Sequence, residues 1–211
     1  DDYQSRGHWV NFLAGGSSVL PGKPGLNVPV DMALAFHTDA GTFKNDSIVG
    51  TLAICTVTNS DGKTIFENGY SRWTSRDLTD IVQTQIVQDI RQTLAPEWTR
   101  RGLWNKSYSE SRVPEMPSML LELLSHQNLA DMRYGLDPRF RFTVSRAIYK
   151  GILKYLSFNS GTEYVVQPLP VEGFSTRFVA RNKVELTWTP VNDSIEPTAK
   201  PDKYIVYTRI D

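Results

Sequence analysis

Two short apolar runs separated by a long amphipathic segment constrain this chain more than any other feature. The first, Val30–Gly41 (VDMALAFHTDAG), carries a histidine to the end of a buried strand and opens into a polar, Gly-containing loop. The second, Ser118–Leu124 (SMLLELL), places one acidic residue, Glu122, inside an otherwise apolar strand. Between them, residues 76–94 repeat Leu78, Ile81, Val82, Ile86 and Ile90 at helical spacing, with Ser75 as the expected N-cap and Pro96 as the stop. A further helix is expected over 139–156, opened by Asp137-Pro138, with Phe142, Ile148, Ile152, Leu153 and Leu156 facing a sheet. Strand, helix, strand, helix predicts an α/β domain of three layers, a central mixed sheet with helices on both faces.

Other segments fill in this plan. Residues 4–14 read as a short helix that turns Trp9, Phe12 and Leu13 to one side, and 17–29 as a Gly/Pro loop. Residues 48–58 read as a strand that returns through Asn59-Ser60-Asp61-Gly62 into a short partner over 63–67, a hairpin. Residues 103–112 read as an exposed loop or edge segment. The composition changes after Leu156. Residues 1–156 are therefore assigned to the α/β domain, 157–164 to a linker and 165–211 to a partial β-sandwich module. Lys183–Thr189 and Lys203–Thr208 alternate there with period two.

Charge and cysteine content exclude several function classes. Basic and acidic residues balance at 23 each, which gives no field to attract nucleic acid or an anionic membrane. The densest basic cluster, Arg100, Arg101 and Lys106, reads as solvated loop charge. No apolar run approaches the roughly 20 residues needed to cross a bilayer. One cysteine, Cys55, lies in an apolar run and reads as a small core residue, so there is no disulfide framework. The chain starts at Asp1 rather than methionine, so a processed or excised piece is expected and a missing export signal carries no weight.

The candidate site residues follow from position. His37 emerges at a strand's C-terminal edge, where open α/β sheets build their sites, and suits either a metal or catalytic role or a hydrogen-bonded structural one. Asp39 either orients that ring or caps the loop. His126 is a site-rim or surface histidine, and His8 a helical one beside Trp9. Glu122, if unpaired in a buried strand, would have a raised pKa and act as a general base. The alternative is a structural ion pair with Arg112 or Arg146. No phosphate loop, nucleophile elbow or zinc-cysteine pattern is present.

Taken in order, AFHTDAG, SRDLTDIVQTQI, Arg101-Gly102, PSMLLELLSHQN and LDPRFRFTVSRAIYKGILKYL resemble the zinc-dependent N-acetylmuramoyl-L-alanine amidase family of the amidase-3 type over about residues 1–156. The resemblance implies that His37 binds Zn2+, that Glu122 is the catalytic glutamate, and that His126 and Asp39 contact substrate. It implies peptidoglycan or a related glycopeptide as partner, hydrolysis of the muramoyl–alanine amide, and an extracytoplasmic location. The family's other two zinc ligands, a histidine in a Gly-rich loop and a glutamate at a helix start, have no counterpart here. The N-terminal part of the catalytic domain is therefore expected to be missing, and the chain alone to be a poor zinc binder. Residues 165–211 resemble the opening strands of a fibronectin type III module, on Trp188 and Tyr204. Two rival readings remain: a non-catalytic cell-wall or glycan-binding protein on an amidase scaffold, and a hydrolase of another glycan-linked amide or ester.

Overall fold

The computed structural model describes residues 2–43 and 45–209. Residues up to Leu156 form one compact unit and those from Ser157 a second. The first unit is an α/β fold around a four-stranded mixed sheet. Its elements are α1 (Asp2–Ala14), β1 (Ala33–Asp39), β2 (Thr51–Cys55), α2 (Trp73–Thr93), β3 (Arg100–Asn105), α3 (Ser109–Arg112), β4 (Ser118–Ser125), α4 (Leu129–Gly135) and α5 (Pro138–Ser160). The strand order is β1-β4-β2-β3, with β1 parallel to β4, β2 antiparallel to β4 and β3 parallel to β2. That order gathers the C-terminal ends of β1 and β4 and the N-terminal ends of β2 and β3 at one end of the sheet.

One sheet face carries the main core. Ala53, Met119 and Leu121 cluster with Leu78, Val82, Ile86 and Ile90 of α2 and with Phe140, Val144 and Ala147 of α5, all of them buried. Burial of each such large side chain stabilises by about 1.5–3 kcal/mol. Gly151 of α5 lies so close to α2 that a Cβ there would sit 2.9 Å from the Val82 backbone. Trp98 fills the end of this core, its rings against Tyr134 and Phe140 and its Nε1–H donated to Thr51 Oγ1 at 2.9 Å. A buried ion pair, Lys150 Nζ to Asp89 Oδ2 at 2.8 Å, joins α5 to α2. The other face is thinner. Leu52, Ile54 and Leu120 pack with Ala35, while α3 rests on β1, β2 and β4, and α1 rests on α3.

Several local expectations are corrected. The hairpin does not form, because both edges of β2 are taken by β4 and β3; residues 63–67 make only the isolated bridge Ile65–Ser71. The 103–112 segment does begin as an edge segment, the end of strand β3, but continues into the one-turn α3, whose Ser109, Glu110 and Ser111 are buried rather than exposed. Helix α2 starts at Trp73, so Ser75 is not its N-cap; the Ser75 hydroxyl instead accepts the Ser118 N–H at 3.1 Å. In α1 it is Gly7 and Asn11 that are buried, and Trp9 stays 57% exposed. The reason is close approach. A Cβ on Gly7 would stand 2.8 Å from Val113 Cβ, and the Asn11 amide bonds Val113 O and Glu115 N at 2.9 and 2.8 Å.

The second unit contains an antiparallel hairpin of β5 (Glu172–Ala180) and β6 (Lys183–Thr189). Asn182 turns it with a φ of 59°, a left-handed conformation that asparagine tolerates. The Trp188 and Tyr204 rings lie 5.1 Å apart. Lys203–Thr208, expected as a strand, has no regular structure: a period-two segment becomes a strand only beside a partner, and β5 and β6 pair with each other. The module is thus a hairpin, and only in part the β-sandwich expected.

Candidate active site

His37 and Glu122 are register partners across the parallel β1–β4 pair, on strands about 4.8 Å apart. On its other side Glu122 pairs with Leu52 of β2, so the three residues form a row on the thin face, at the end where β1 and β4 finish. Sequence alternation sets this face. Met119 and Leu121 point to the α2–α5 core, which leaves Leu120 and Glu122 on the opposite side.

The Glu122 carboxylate has no ion-pair partner among the described residues, and its Oε2 is buried without a hydrogen bond. Arg112, one expected partner, instead donates to Ser107 O and Oγ at 3.1 and 2.7 Å. Burial pushes the Glu122 pKa above the usual carboxylate value; the charges of Asp39 and Glu110 raise it further, and His37 and Arg101 oppose. A carboxylate in that state is suited to take up a proton.

His37 has a carboxylate against its ring: Nε2 lies 3.0 Å from Glu110 Oε1. The same oxygen accepts from Arg6 Nη1 at 2.7 Å, and Arg6 also reaches Asp2 at 2.6 Å. At the rim, Asp39 Oδ2 accepts from Arg101 Nη1 at 2.6 Å. Burial works to raise the Asp39 pKa, but Arg101, the Ala40 N–H and His126 outweigh it and hold the carboxyl below its ordinary range. Arg101 is therefore not the solvated loop charge expected of its cluster; it spans the sheet end from β3 to β1. His126 donates its backbone N–H to Asp39 O at 2.9 Å, and its Nδ1 lies 3.1 Å from Thr38 Oγ1. All four candidate residues thus meet at one end of the sheet. His8 does not join them; its Nδ1 lies 3.3 Å from Ser17 Oγ. Burial pushes the Cys55 thiol up to about 11, so it offers no thiolate near neutral pH.

Sequence reasoning missed Glu110, Arg6 and Asp131. Asp131 is fully buried and accepts the N–H groups of Val49, Gly50 and Ser125 at 2.8, 3.1 and 2.8 Å, tying the β2 entry to the β4 exit. Asn128 caps α4 by accepting the Asp131 N–H, so Asn128-Leu-Ala-Asp131 was a readable helix-start signal. Glu110 lies in a polar stretch without periodicity and gave no such signal.

A zinc ion is usually held by three protein ligands in a catalytic site. Among the described residues, no group of three or more His, Cys, Asp or Glu side chains is placed to hold a metal. His37 supplies a single imidazole, and the residues present do not by themselves fit zinc.

Comparison with known proteins places the fold. The chain resembles the N-acetylmuramoyl-L-alanine amidase from Clostridium difficile 630 at 20% identity over 61% of this chain and 59% of that one, with a TM-score of 0.47. It resembles the N-acetylmuramyl-L-alanine amidase Ami1 from Mycobacterium smegmatis at 17% identity over 74% and 61%, with a TM-score of 0.51. The chain thus spans about six tenths of the length of these structures. No curated protein matches it. The profile of Amidase_3, N-acetylmuramoyl-L-alanine amidase, matches residues 27–154, more than half of the sequence and all of the strands that carry the site. The chain belongs to the Amidase_3 family of N-acetylmuramoyl-L-alanine amidases.

Proposed function

We propose that this domain hydrolyses the amide between N-acetylmuramic acid and L-alanine in peptidoglycan, with Glu122 as general base. The observation that carries the reading is the unpartnered Glu122 carboxylate beside His37 at the site end of the sheet. Glu122 takes a proton from the water whose oxygen bonds to the acyl carbon. As the C–N bond breaks, the same carboxyl returns that proton to the departing alanine nitrogen. In this reading Asp39 and His126, on the rim, contact the substrate, and the Arg101 pair helps hold the Asp39 carboxyl below its ordinary range.

Zinc is the cofactor we infer, with His37 as one ligand and the others supplied from outside the described residues. Peptidoglycan as substrate implies action outside the cytoplasmic membrane. No helix among the described residues is long and apolar enough to cross a membrane. A second reading is a non-catalytic cell-wall binding protein on the same scaffold.

The test is release of peptide from N-acetylmuramoyl-peptides by the longest natural form of the protein. Turnover is expected to vanish on chelation and return with zinc. Glu122→Gln is expected to lower turnover by about a hundredfold or more with zinc still bound, because it removes proton transfer and no ligand. His37→Ala is expected to weaken zinc binding and turnover together. Absence of cleavage, with peptidoglycan binding indifferent to Glu122→Gln, establishes the binding reading instead.

A further inference from the structure

We propose that the groove between α1 and the Gly/Pro loop after it is a saccharide subsite, in which the glycan strand of the substrate lies on the Trp9 ring. The groove holds about 580 Å3, a volume typical of small-molecule sites. Its apolar lining is Trp9, Phe12, Val19 and Leu20. The Trp9 and Phe12 rings stack at 5.6 Å, and Trp9 and Val19 are each more than half exposed. Gln4, Ser5 and His8 border the same groove. An exposed apolar patch rimmed by polar side chains marks a binding surface.

The local structure builds this patch deliberately. Residues 17–28 return along α1: the Leu26 and Val28 N–H groups donate to the Phe12 and Leu13 carbonyls at 3.0 and 2.8 Å, which a helix end leaves without intrahelical partners. Gly25 permits the return, since a Cβ there would stand 2.5 Å from Gly15. Ser17 Oγ, 3.3 Å from His8 Nδ1, fastens the near end. The loop so held sets Val19 and Leu20 beside the aromatic pair.

The lining selects a sugar. A pyranose offers a flat C–H face to an aromatic ring and a belt of hydroxyl and acetamide groups to polar side chains, and the groove presents both kinds of partner. A stable protein interface uses about 20–30 residues a side, many more than line this groove. The groove is also continuous with the proposed active site. Arg6 borders it and borders as well a second groove, of about 420 Å3, lined by His37 and Glu110. The choice of glycan rests on the amidase reading, in which a muramoyl sugar lies next to the amide that is cut.

The experiment titrates the full chain with soluble chitin oligosaccharides, which share the N-acetylhexosamine backbone of peptidoglycan but carry no peptide and no muramoyl amide. Binding is read by calorimetry and by backbone NMR. The expected result is saturable binding, with shifts centred on Gln4–Phe12 and on Val19 and Leu20. Trp9→Ala should weaken it about tenfold or more, and Trp9→Phe, which keeps a ring, should weaken it less. Trp9 is exposed, so both variants should fold, and the backbone spectrum is the control. No saturable binding, binding unchanged in Trp9→Ala, or shifts confined to another surface overturns the proposal. So does self-association lost in Trp9→Ala with no binding of sugar, which makes the groove a contact between copies of the chain. Failure to cleave a muramoyl amide leaves the subsite standing, and failure to bind the oligosaccharides leaves cleavage to its own assay.

Discussion

On the face of the sheet that meets α2 and α5, β4 contributes Met119 and Leu121 to a large apolar cluster; on the other, the same strand contributes Ser118, Leu120 and Glu122 beneath the short α3. The first face is held by close packing, in which Trp98, Phe140 and four α2 side chains have no solvent contact. The second is held by directed polar contacts such as Glu110 to His37 and Arg101 to Asp39. Where packing already anchors the strands from one side, the opposite side is released to hold a carboxylate with no ion-pair partner among the described residues.

The comparison breaks most readily at Trp98. Trp98→Ala removes the largest fully buried side chain and one of the two hydrogen bonds of the Thr51 hydroxyl, which keeps its bond to Leu123 O, and is expected to cost about 3–5 kcal/mol in denaturant unfolding. A loss below about 1 kcal/mol would mean that the α2–α5 face is not the anchor. Next comes Asp131→Ala, expected to cost about 3 kcal/mol because three buried N–H groups lose their acceptor. Hydrogen exchange should quicken at Val49, Gly50 and Ser125.

The remaining two variants probe the polar face by pH. Glu122 has a raised pKa in the fold, so its contribution is fully present below the unfolded glutamate value of about 4.3 and is lost as pH rises through the folded value. Glu122→Gln, which cannot ionise, is therefore expected to be no less stable than wild type near neutrality, with the difference shifting in its favour as pH climbs. A uniform loss at every pH would reveal a hidden partner for Glu122. Asp39 has the opposite sign. Its lowered pKa gives stability above the unfolded aspartate value of about 3.9, lost as pH falls through the folded value. Asp39→Asn is expected to cost less than about 1 kcal/mol at pH 7, since the Arg101 pair is partly solvated, and nothing in acid.

What could be read from sequence follows the range of the physics involved. Strands β1 and β4 and helices α2 and α5 were visible because burial imposes a period on neighbouring residues. The out-of-pattern Glu122 was visible against that same period. The 63–67 partner strand failed because propensity cannot know that both edges of β2 are already taken. The inward side of α1 was misread because close approach selects Gly7 over the aromatic residues nearby. Glu110 and Arg101 were out of reach for another reason: each acts on a residue from a distant part of the chain, and a lone polar residue in a polar stretch carries no mark of its partner.

The β1–β4 register has a kinetic meaning as well. The two strands that set His37 beside Glu122 are separated in the chain by β2, α2, β3 and α3, so their pairing is non-local. Closing so long a loop adds little free energy, since each doubling of length costs only about 0.6 kcal/mol, but non-local pairing is what slows folding. A slip of one residue would turn Glu122 into the apolar cluster and Leu121 toward His37, so register and core burial are enforced together. The His37–Glu122 juxtaposition therefore exists only where β1 has found β4 in its native register.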